Sequence, residues 1–475
     1  MNSQDIFYGI TDIRDDLIDG AKGIPKKQKW WIKKRWPGIV AAVLAVAVLA
    51  GIFLHPGGGL TAYAIAEAEY PKMAPYPGER HTEAAFNAWW EDVTAQRRDL
   101  GDISPLQSFF ARSAQTFLTG AEGENLVYSP LNVYMALSML AQLTDGESRE
   151  QILKLLGNGS MDALRQQASD VWNANYRDDG TQTSILASSL WLNQNVKYDP
   201  GTMDTLARDF YASSYQGEMG SEQFNKALQS WLDRQTGGLL EEQAGNIELD
   251  RETILALATT VYFKARWSHE FSKGKTSPET FHAPSGDVET DFMHQRDDQT
   301  YYWGDRFAAV RQSFQQGGAM WFLLPDEGIT PEALLSDEEA LDFLFTADKY
   351  EWENQKYLEV NKSIPKFDVS SQFELAEGLK TLGVIDVFDP AVSDFTPMTT
   401  DADIPIILSQ ASHAARVIID EEGCTAVAFT VIATGAGMPP DDEVDFVLDR
   451  PFIFCITGNS GLPLFVGVVN YPAAK

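Results

Sequence analysis

An α+β domain built on large antiparallel β-sheets with surrounding helices is the fold the sequence predicts. Uncharged, β-prone runs recur at Ser184–Asn193 (SILASSLWLN), Thr253–Phe263 (TILALATTVYF) and Ala319–Pro325 (AMWFLLP). Tyr357–Phe367 adds a run that alternates cleanly, as a half-buried strand should. Helical periodicity lies elsewhere, through residues 104–157 and again at 203–212 and 224–236, and no internal repeat is present.

Composition narrows the function. At 475 residues the chain is longer than one core usually serves, so two domains are the default. A net charge of −31 would repel nucleic acid. Two cysteines, Cys424 and Cys455, make neither a disulfide framework nor a metal site. No cofactor motif, zinc spacing or calcium loop is present.

From the N-terminus, residues 1–36 read as a short cytoplasmic segment and residues 37–54 as a transmembrane helix. The uncharged stretch GIVAAVLAVAVLAGIFL is about long enough for a hydrocarbon core of roughly 30 Å. Lys26, Lys27, Lys29, Lys33, Lys34 and Arg35 precede it, interleaved with Trp30, Trp31 and Trp36, which places the N-terminus inside. The leader is long for a signal peptide, and the small-residue site Ala62-Tyr63-Ala64 lies far from the apolar end. The expectation is therefore an uncleaved single-pass anchor in the cell membrane, with an extracellular body. Residues 55–104 read as an extracellular linker or extension, opening on Pro56-Gly57-Gly58-Gly59. Within it FNAWWEDVTAQRRD is aromatic enough to pack as an extra helix.

The main domain is expected over 105–475. Ser104-Pro105 reads as an N-cap followed by a first-turn proline, with Leu106, Phe109, Phe110, Ala114, Phe117 and Leu118 on one face. Ser129-Pro130 starts a second helix in the same way. Ser148-x-x-Gln151 reads as the capping box of a third, ending near Gly157. Leu375, Leu379 and Leu382 make a short helix stopped by Gly383.

The most unusual stretch is Val417–Asp449. It begins as an apolar strand, turns acidic at Asp420-Glu421-Glu422, and after Gly423 runs eleven residues without charge or proline. A flexible tip follows, Gly435-Ala436-Gly437-Met438-Pro439-Pro440. Such a run is normally buried or an aggregation hazard, yet it carries loop punctuation at both ends. A β-hairpin accounts for it, and so does a loop able to become a strand. As a strand, its small residues Cys424, Ala426, Ala428 and Thr430 would share one face, and Thr425, Val427, Phe429 and Val431 the other.

Catalysis has little support. Gly458-Asn459-Ser460-Gly461 looks like a nucleophile segment, but none of the six histidines has the flanking sequence that such an enzyme needs. Between FIFCI and PLFVGVV it reads as a hairpin turn. Cys424 has nothing nearby in sequence to lower its thiol pKa.

Several segments together resemble one family. Glu421-Glu422-Gly423 followed by small residues resembles the reactive-centre-loop hinge of serpins. The tail from Arg450-Pro451-Phe452 through Pro463–Gly467 to Asn470-Tyr471-Pro472 is similar to the end of that family. NLVYSP, TTVYFKARW, IPKF and SDFTPM are further likenesses, so the resemblance covers roughly Ser104 to Lys475.

This resemblance implies the serpin fold with an exposed reactive-centre loop, and a monomeric inhibitor rather than an enzyme. Its partner would be a serine protease, with papain-like cysteine proteases also open. A bacterial, membrane-anchored member is the expectation, and a non-inhibitory binding or adhesion module is the alternative. The hinge would be Glu421, Glu422, Gly423, Cys424, Thr425, Ala426, Val427 and Ala428, where Val427 and Phe429 replace the usual small residues. Lys366 and Glu421 would pair where the loop enters the sheet, with Trp267 beneath. His413 and Ser129 would hydrogen-bond behind the opening strands, where Asn132 and Thr259 replace the usual partners. Family spacing puts the scissile bond at Gly437-Met438, with Ala436-Gly437 also open, and the small residues of this tip suit elastase-like or subtilisin-like proteases.

Overall fold

The computed structural model describes residues 60–78, 81–120, 123–239, 245, 247–346, 352–399, 401, 404–424 and 442–472. Seventeen strands lie in two sheets among these residues. The strands are β1 (Ala64–Ala66), β2 (Leu126–Tyr128), β3 (Arg177–Asp178), β4 (Thr183–Asn193), β5 (Ala212–Gly217) and β6 (Leu255–Arg266). They continue as β7 (Ser277–Ala283), β8 (Gly286–Trp303), β9 (Phe307–Ser313), β10 (Ala319–Pro325), β11 (Gln355–Pro365) and β12 (Phe367–Glu374). The last are β13 (Leu408–Ile419), β14 (Gly423–Cys424), β15 (Glu443–Val447), β16 (Phe452–Thr457) and β17 (Pro463–Val469).

One sheet runs β1-β5-β4-β6-β14-β13-β12, with β3 against β4. The other runs β15-β11-β8-β9-β10-β16-β17-β2, with β7 against β8. Most pairings are antiparallel, as expected; β4–β5, β6–β13 and β11–β15 are parallel. The sheets meet where Ser371 Oγ on β12 accepts the Val127 N–H of β2 at 2.9 Å.

Among the described residues seven helices precede β6: α1 (Glu83–Ala95), α2 (Ser104–Leu118), α3 (Pro130–Leu143), α4 (Gly146–Leu156), α5 (Met161–Asn175), α6 (Pro200–Asp209) and α7 (Glu222–Gln235). PLNVYMALSMLAQL is apolar all round, which suits only a helix surrounded by protein, and α3 is buried at nearly every position. Ser129 caps it by accepting the Asn132 N–H at 3.3 Å.

Two expected caps are different. Ser104 is the first residue of α2 and gives its hydroxyl to Asp102 instead of capping. The supposed capping box lies inside α4, which starts at Gly146. Ser148 Oγ instead accepts Asp394 N–H at 3.1 Å, and Gln151 Oε1 accepts Ile385 and Asp386 N–H at 2.9 and 3.1 Å. Those side chains satisfy a distant loop, which a local motif does not reveal. Gly157 does end this helix, in the left-handed region at φ 69°.

Of the compact unit Met1–Ala62 only residues 60–62 are described, so the span expected at 37–54 lies outside the described residues. The expected cell-membrane localisation is corrected: among the described residues no helix is long and apolar enough to cross a membrane. The longest, α2 and α5, have 15 residues. At 1.5 Å per residue each is about 22 Å long, short of roughly 30 Å, and each is amphipathic.

The second compact unit, Tyr63–Lys475, takes in the expected extension only from Tyr63 onward. There β1 adds an edge strand to β5, and α1 docks through Trp89, whose Nε1 donates to Asp179 Oδ2 at 3.0 Å.

Candidate functional site

Strands β6 and β13 are the two parallel neighbours at the middle of the first sheet. They pair directly from Leu408↔Leu255 to His413↔Thr259. Six residues further along both strands, at Ala265 and Ile419, they no longer touch each other. Cys424 of β14 stands between them, paired antiparallel with both. The chain therefore begins a new strand where the sheet has opened by one strand's width.

Local chemistry explains why the chain enters there. Asp420 Oδ1 accepts the Glu422 and Gly423 N–H groups at 2.8 and 3.2 Å, an Asx-type turn that reverses β13. Gly423 then passes so close to β6 that a Cβ would lie 2.3 Å from the Ala265 carbonyl oxygen, so only glycine fits.

The turn is clamped from below and from the side. Trp267, fully buried and stacked on Phe314 with centroids 5.0 Å apart, donates Nε1–H to the Asp420 carbonyl at 2.9 Å. Its backbone N–H reaches the Glu422 carbonyl at 3.2 Å, and that of Phe271 the Glu421 carbonyl at 2.9 Å. Lys366 Nζ lies 2.8 Å from Glu421 Oε1, which also accepts the Thr276 hydroxyl at 2.8 Å. Lys273 pairs with Glu422. Burial pushes the Glu421 carboxyl up, but hydrogen bonds from Lys366 and Thr276 outweigh it and hold it below its ordinary value. Burial works against the Lys366 ammonium too, and Glu421 still holds it above its ordinary value.

Below the opening, Ser129 N–H donates to His413 Nε2 at 3.1 Å, and the Tyr128 ring meets the imidazole edge-on at 5.6 Å. Burial depresses the His413 pKa to about 4, so it is a neutral acceptor at pH 7. Thr259 is its cross-strand partner on β6. Asn132 is wholly buried, and neither end of its amide finds a partner among the described residues. Two small cavities, of about 10 and 20 Å³, flank this seam, one beneath it towards α3 and one above it towards α7.

The structure thus brings Trp267, Lys366, Glu421, Glu422, Gly423 and Cys424 into one place, and Ser129, Asn132, Thr259 and His413 into another. Thr425, Ala426, Val427, Ala428, Gly437 and Met438 lie outside the described residues. Sequence reading missed Thr276, Lys273 and Asp420. Of these only Asp420 carried a signal, an aspartate three residues before a glycine. Ser460 gives its hydroxyl to Asn175 Oδ1 at 2.8 Å, as a turn residue would.

Comparison with known proteins gives a consistent answer. Residues 106–472 match the model of the family Serpin (serine protease inhibitor). The chain is similar to Serpin-ZX of Arabidopsis thaliana, 28% identical over 375 residues, covering 74% of this chain and 94% of that protein. It is similar to Serpin-Z1C of Triticum aestivum at 28% over 388 residues, covering 77% and 94%. These are plant proteins and lend no support to a bacterial source. Among solved structures, Arabidopsis AtSerpin1 in its native stressed conformation matches with a TM-score of 0.68 and 26% identity, over 80% of this chain and 98% of that one. The thermophilic serpin tengpin in its native state matches in fold with a TM-score of 0.70 at 23% identity, over 79% and 96%.

Proposed function

The chain belongs to the serpin family, and from that premise we propose that it is a suicide inhibitor of serine proteases. The observation that carries the proposal is the shared register of β14. Because Cys424 pairs with both Ala265 and Ile419, continued antiparallel pairing assigns every following residue two partners. Thr425 would meet Lys264 and Ile418, and Ala426 would meet Phe263 and Val417. Val427 would meet Tyr262 and Arg416, and Ala428 would meet Val261 and Ala415.

This register puts small residues where space is scarce. Ala265, Phe263, Val261, Val417, Ala415 and Ile419 are buried, facing the core. Cys424, Ala426 and Ala428 fall on that face. Val427 and Phe429 fall on the other face, Val427 beside half-buried Tyr262 and Phe429 between buried Thr260 and Ala414, where its ring needs the neighbours to give way.

The chemistry follows from substrate-like cleavage. The protease serine oxygen attacks the Gly437 carbonyl carbon and the bond to the Met438 nitrogen breaks, leaving Met438 as the new amino terminus of a segment that β16 and β17 hold in the second sheet until it is denatured. The residues up to Gly437 stay on the protease as an ester. The freed hinge then inserts between β6 and β13, dragging the ester-linked protease and distorting its site before water completes the reaction. Serpins in general add a strand to a sheet and release stored strain in this way. Ordering a residue costs roughly 1–2 kcal/mol and a net hydrogen bond returns roughly 1. Ladder formation alone is near break-even, so burial of the small face and relief of the underpacked, amide-orphaned seam must drive insertion.

The small tip residues suit elastase-like and subtilisin-like enzymes. The test is to mix the protein with one of each and look for an SDS-stable complex, weighing the released peptide by mass spectrometry. A complex with a peptide that starts at Met438 is expected. Clean cleavage with no complex would refute inhibition and leave the non-inhibitory binding module.

A further inference from the structure

Helix α1 and the segment after it, residues 96–103, do more than cover the domain. Between them, Tyr176 and Arg177, and the Gly458–Gly461 turn lies a cleft of about 580 Å³. That is within the size range of small-molecule sites, roughly 300–1,000 Å³. The Gly458–Gly461 turn is the segment that only resembled a nucleophile motif.

The cleft is lined by three arginines, Arg97, Arg98 and Arg177, and by one carboxylate, Asp99. Arg177 is 6% exposed. With the Asn459 amide turned to suit its neighbours, Arg177 Nη2 donates to Asn459 Oδ1 at 3.0 Å and the Asn459 amide nitrogen donates to the Gly317 and Gln316 carbonyls. Arg177 Nη1 is buried with no partner among the described residues. Asp179 is near, but both its oxygens are occupied: Oδ2 by Trp89 Nε1, Oδ1 by the Thr181 and Gln182 N–H groups at 3.0 and 2.9 Å.

Arg97 adds a second guanidinium, stacked over Trp90 at 4.8 Å and in no ion pair among the described residues. Burial holds the Arg177 pKa below its ordinary value, Asp179 works against that, and the charge of Arg97 adds to it. Gln96 Oε1, also at the cleft, is buried without a partner among the described residues. Arg98, by contrast, is taken up by Asp170 at 3.5 Å.

Two repelling guanidiniums, one with a buried unmet donor, match an acidic head group that accepts from both. Trp89 and Trp90 supply an apolar wall beside them, and Gln96 an acceptor for a ligand N–H or O–H. A long polyanion is disfavoured by the net charge of −31. We propose that this cleft binds a small organic anion: its carboxylate is held by Arg177 and Arg97, and its apolar body lies against Trp89 and Trp90. The proposal is independent of protease inhibition.

The full chain is titrated by calorimetry with 2-naphthoate, its neutral analogue 2-naphthamide, and inorganic phosphate. Saturable binding of one naphthoate per chain is expected, with the amide and phosphate each about tenfold weaker or worse. Arg177→Gln risks misfolding, because Arg177 also braces Asn459. Arg97→Gln decides instead: it should weaken naphthoate about tenfold while leaving the unfolding midpoint unchanged. Absence of saturable binding up to about 1 mM, amide or phosphate binding as tight as naphthoate, or indifference to Arg97→Gln would each overturn the proposal.

Discussion

The two sides of β6 are built differently. Towards β4 it is zipped along its length, from Thr183↔Lys264 to Leu192↔Leu255. Towards β13 it pairs only from Leu255 to Thr259, and the rest of the seam has spread to admit β14. The zipped side is sealed by ladder bonds and large side chains such as Trp191 and Leu190. The half-open side carries two small cavities, an unpartnered buried amide and a neutral buried histidine. A sheet that is strong everywhere except along one seam is a sheet prepared to part there.

Closing the seam is the strongest test of this contrast. Ala258 and Ser412 are direct cross-strand partners, and neighbouring strands lie about 4.8 Å apart, within disulfide reach. Ala258→Cys with Ser412→Cys, once oxidised, should abolish SDS-stable complexes and turn the protein into a plain substrate. Reduction should restore trapping. Oxidised protein that still traps protease at the normal yield would mean that the seam need not open. Ala428→Arg should have the same outcome by another route, because its register would bury an unpaired charge against Val261 and Ala415. A protein that served only as a binding module would be indifferent to both.

Acid should weaken the half-open side first. An exposed histidine takes up a proton below about pH 6.5, but His413 does so only near pH 4. The native state therefore binds fewer protons in that window. Stability is full above about pH 6.5 and falls as the pH drops to about 4, by roughly 3 kcal/mol in all. Denaturant midpoints measured across this range should show the slope, and His413→Gln should flatten it. An unchanged slope in the variant would assign the acid sensitivity to other groups.

Much of this contrast is legible in the amino-acid sequence. The strand runs at 184–193, 253–263 and 319–325 stand out because buried strands are uncharged and β-branched, and the hinge because eleven uncharged residues between loop signals are unusual. The pairing of Lys366 with Glu421 over Trp267 comes through likeness alone, since no periodicity links positions 55 and 154 residues apart from it in the chain. What stays hidden depends on tertiary partners. Ser148 and Gln151 look like a cap and instead serve the loop at 385–394. Thr276 in the clamp, and Arg177 beside Arg97, follow from how distant segments stack, which a linear pattern does not encode.

The clamp at the top of the seam should matter less than the seam itself. Glu421 titrates below its ordinary value in the native state. Its contribution is present at neutral pH and is lost as the pH falls through that depressed value, below the usual carboxylate range near 4.3. Removing the charge with Glu421→Gln should cost about 2 kcal/mol and speed spontaneous loss of trapping ability at pH 7 about tenfold or more. The variant should gain little further speed in strong acid, where the wild type accelerates. Equal rates for the two at pH 7 would show that the ion pair does not restrain the hinge.

The smallest effect, and the most direct test of stored strain, concerns Asn132. Its side chain is wholly buried, with both amide atoms unpartnered among the described residues, at the start of α3 beneath the seam. An unmet buried polar group costs roughly 1–3 kcal/mol, while an apolar group of the same shape can be neutral or stabilising. Leucine branches where asparagine does, so Asn132→Leu should raise stability by about 1 kcal/mol. The same change should lower the yield of trapped protease, because the native state would have less to gain from parting the sheet. A variant that is more stable and traps as well as before would separate the two, and would place the drive for insertion in the burial of the small hinge face alone.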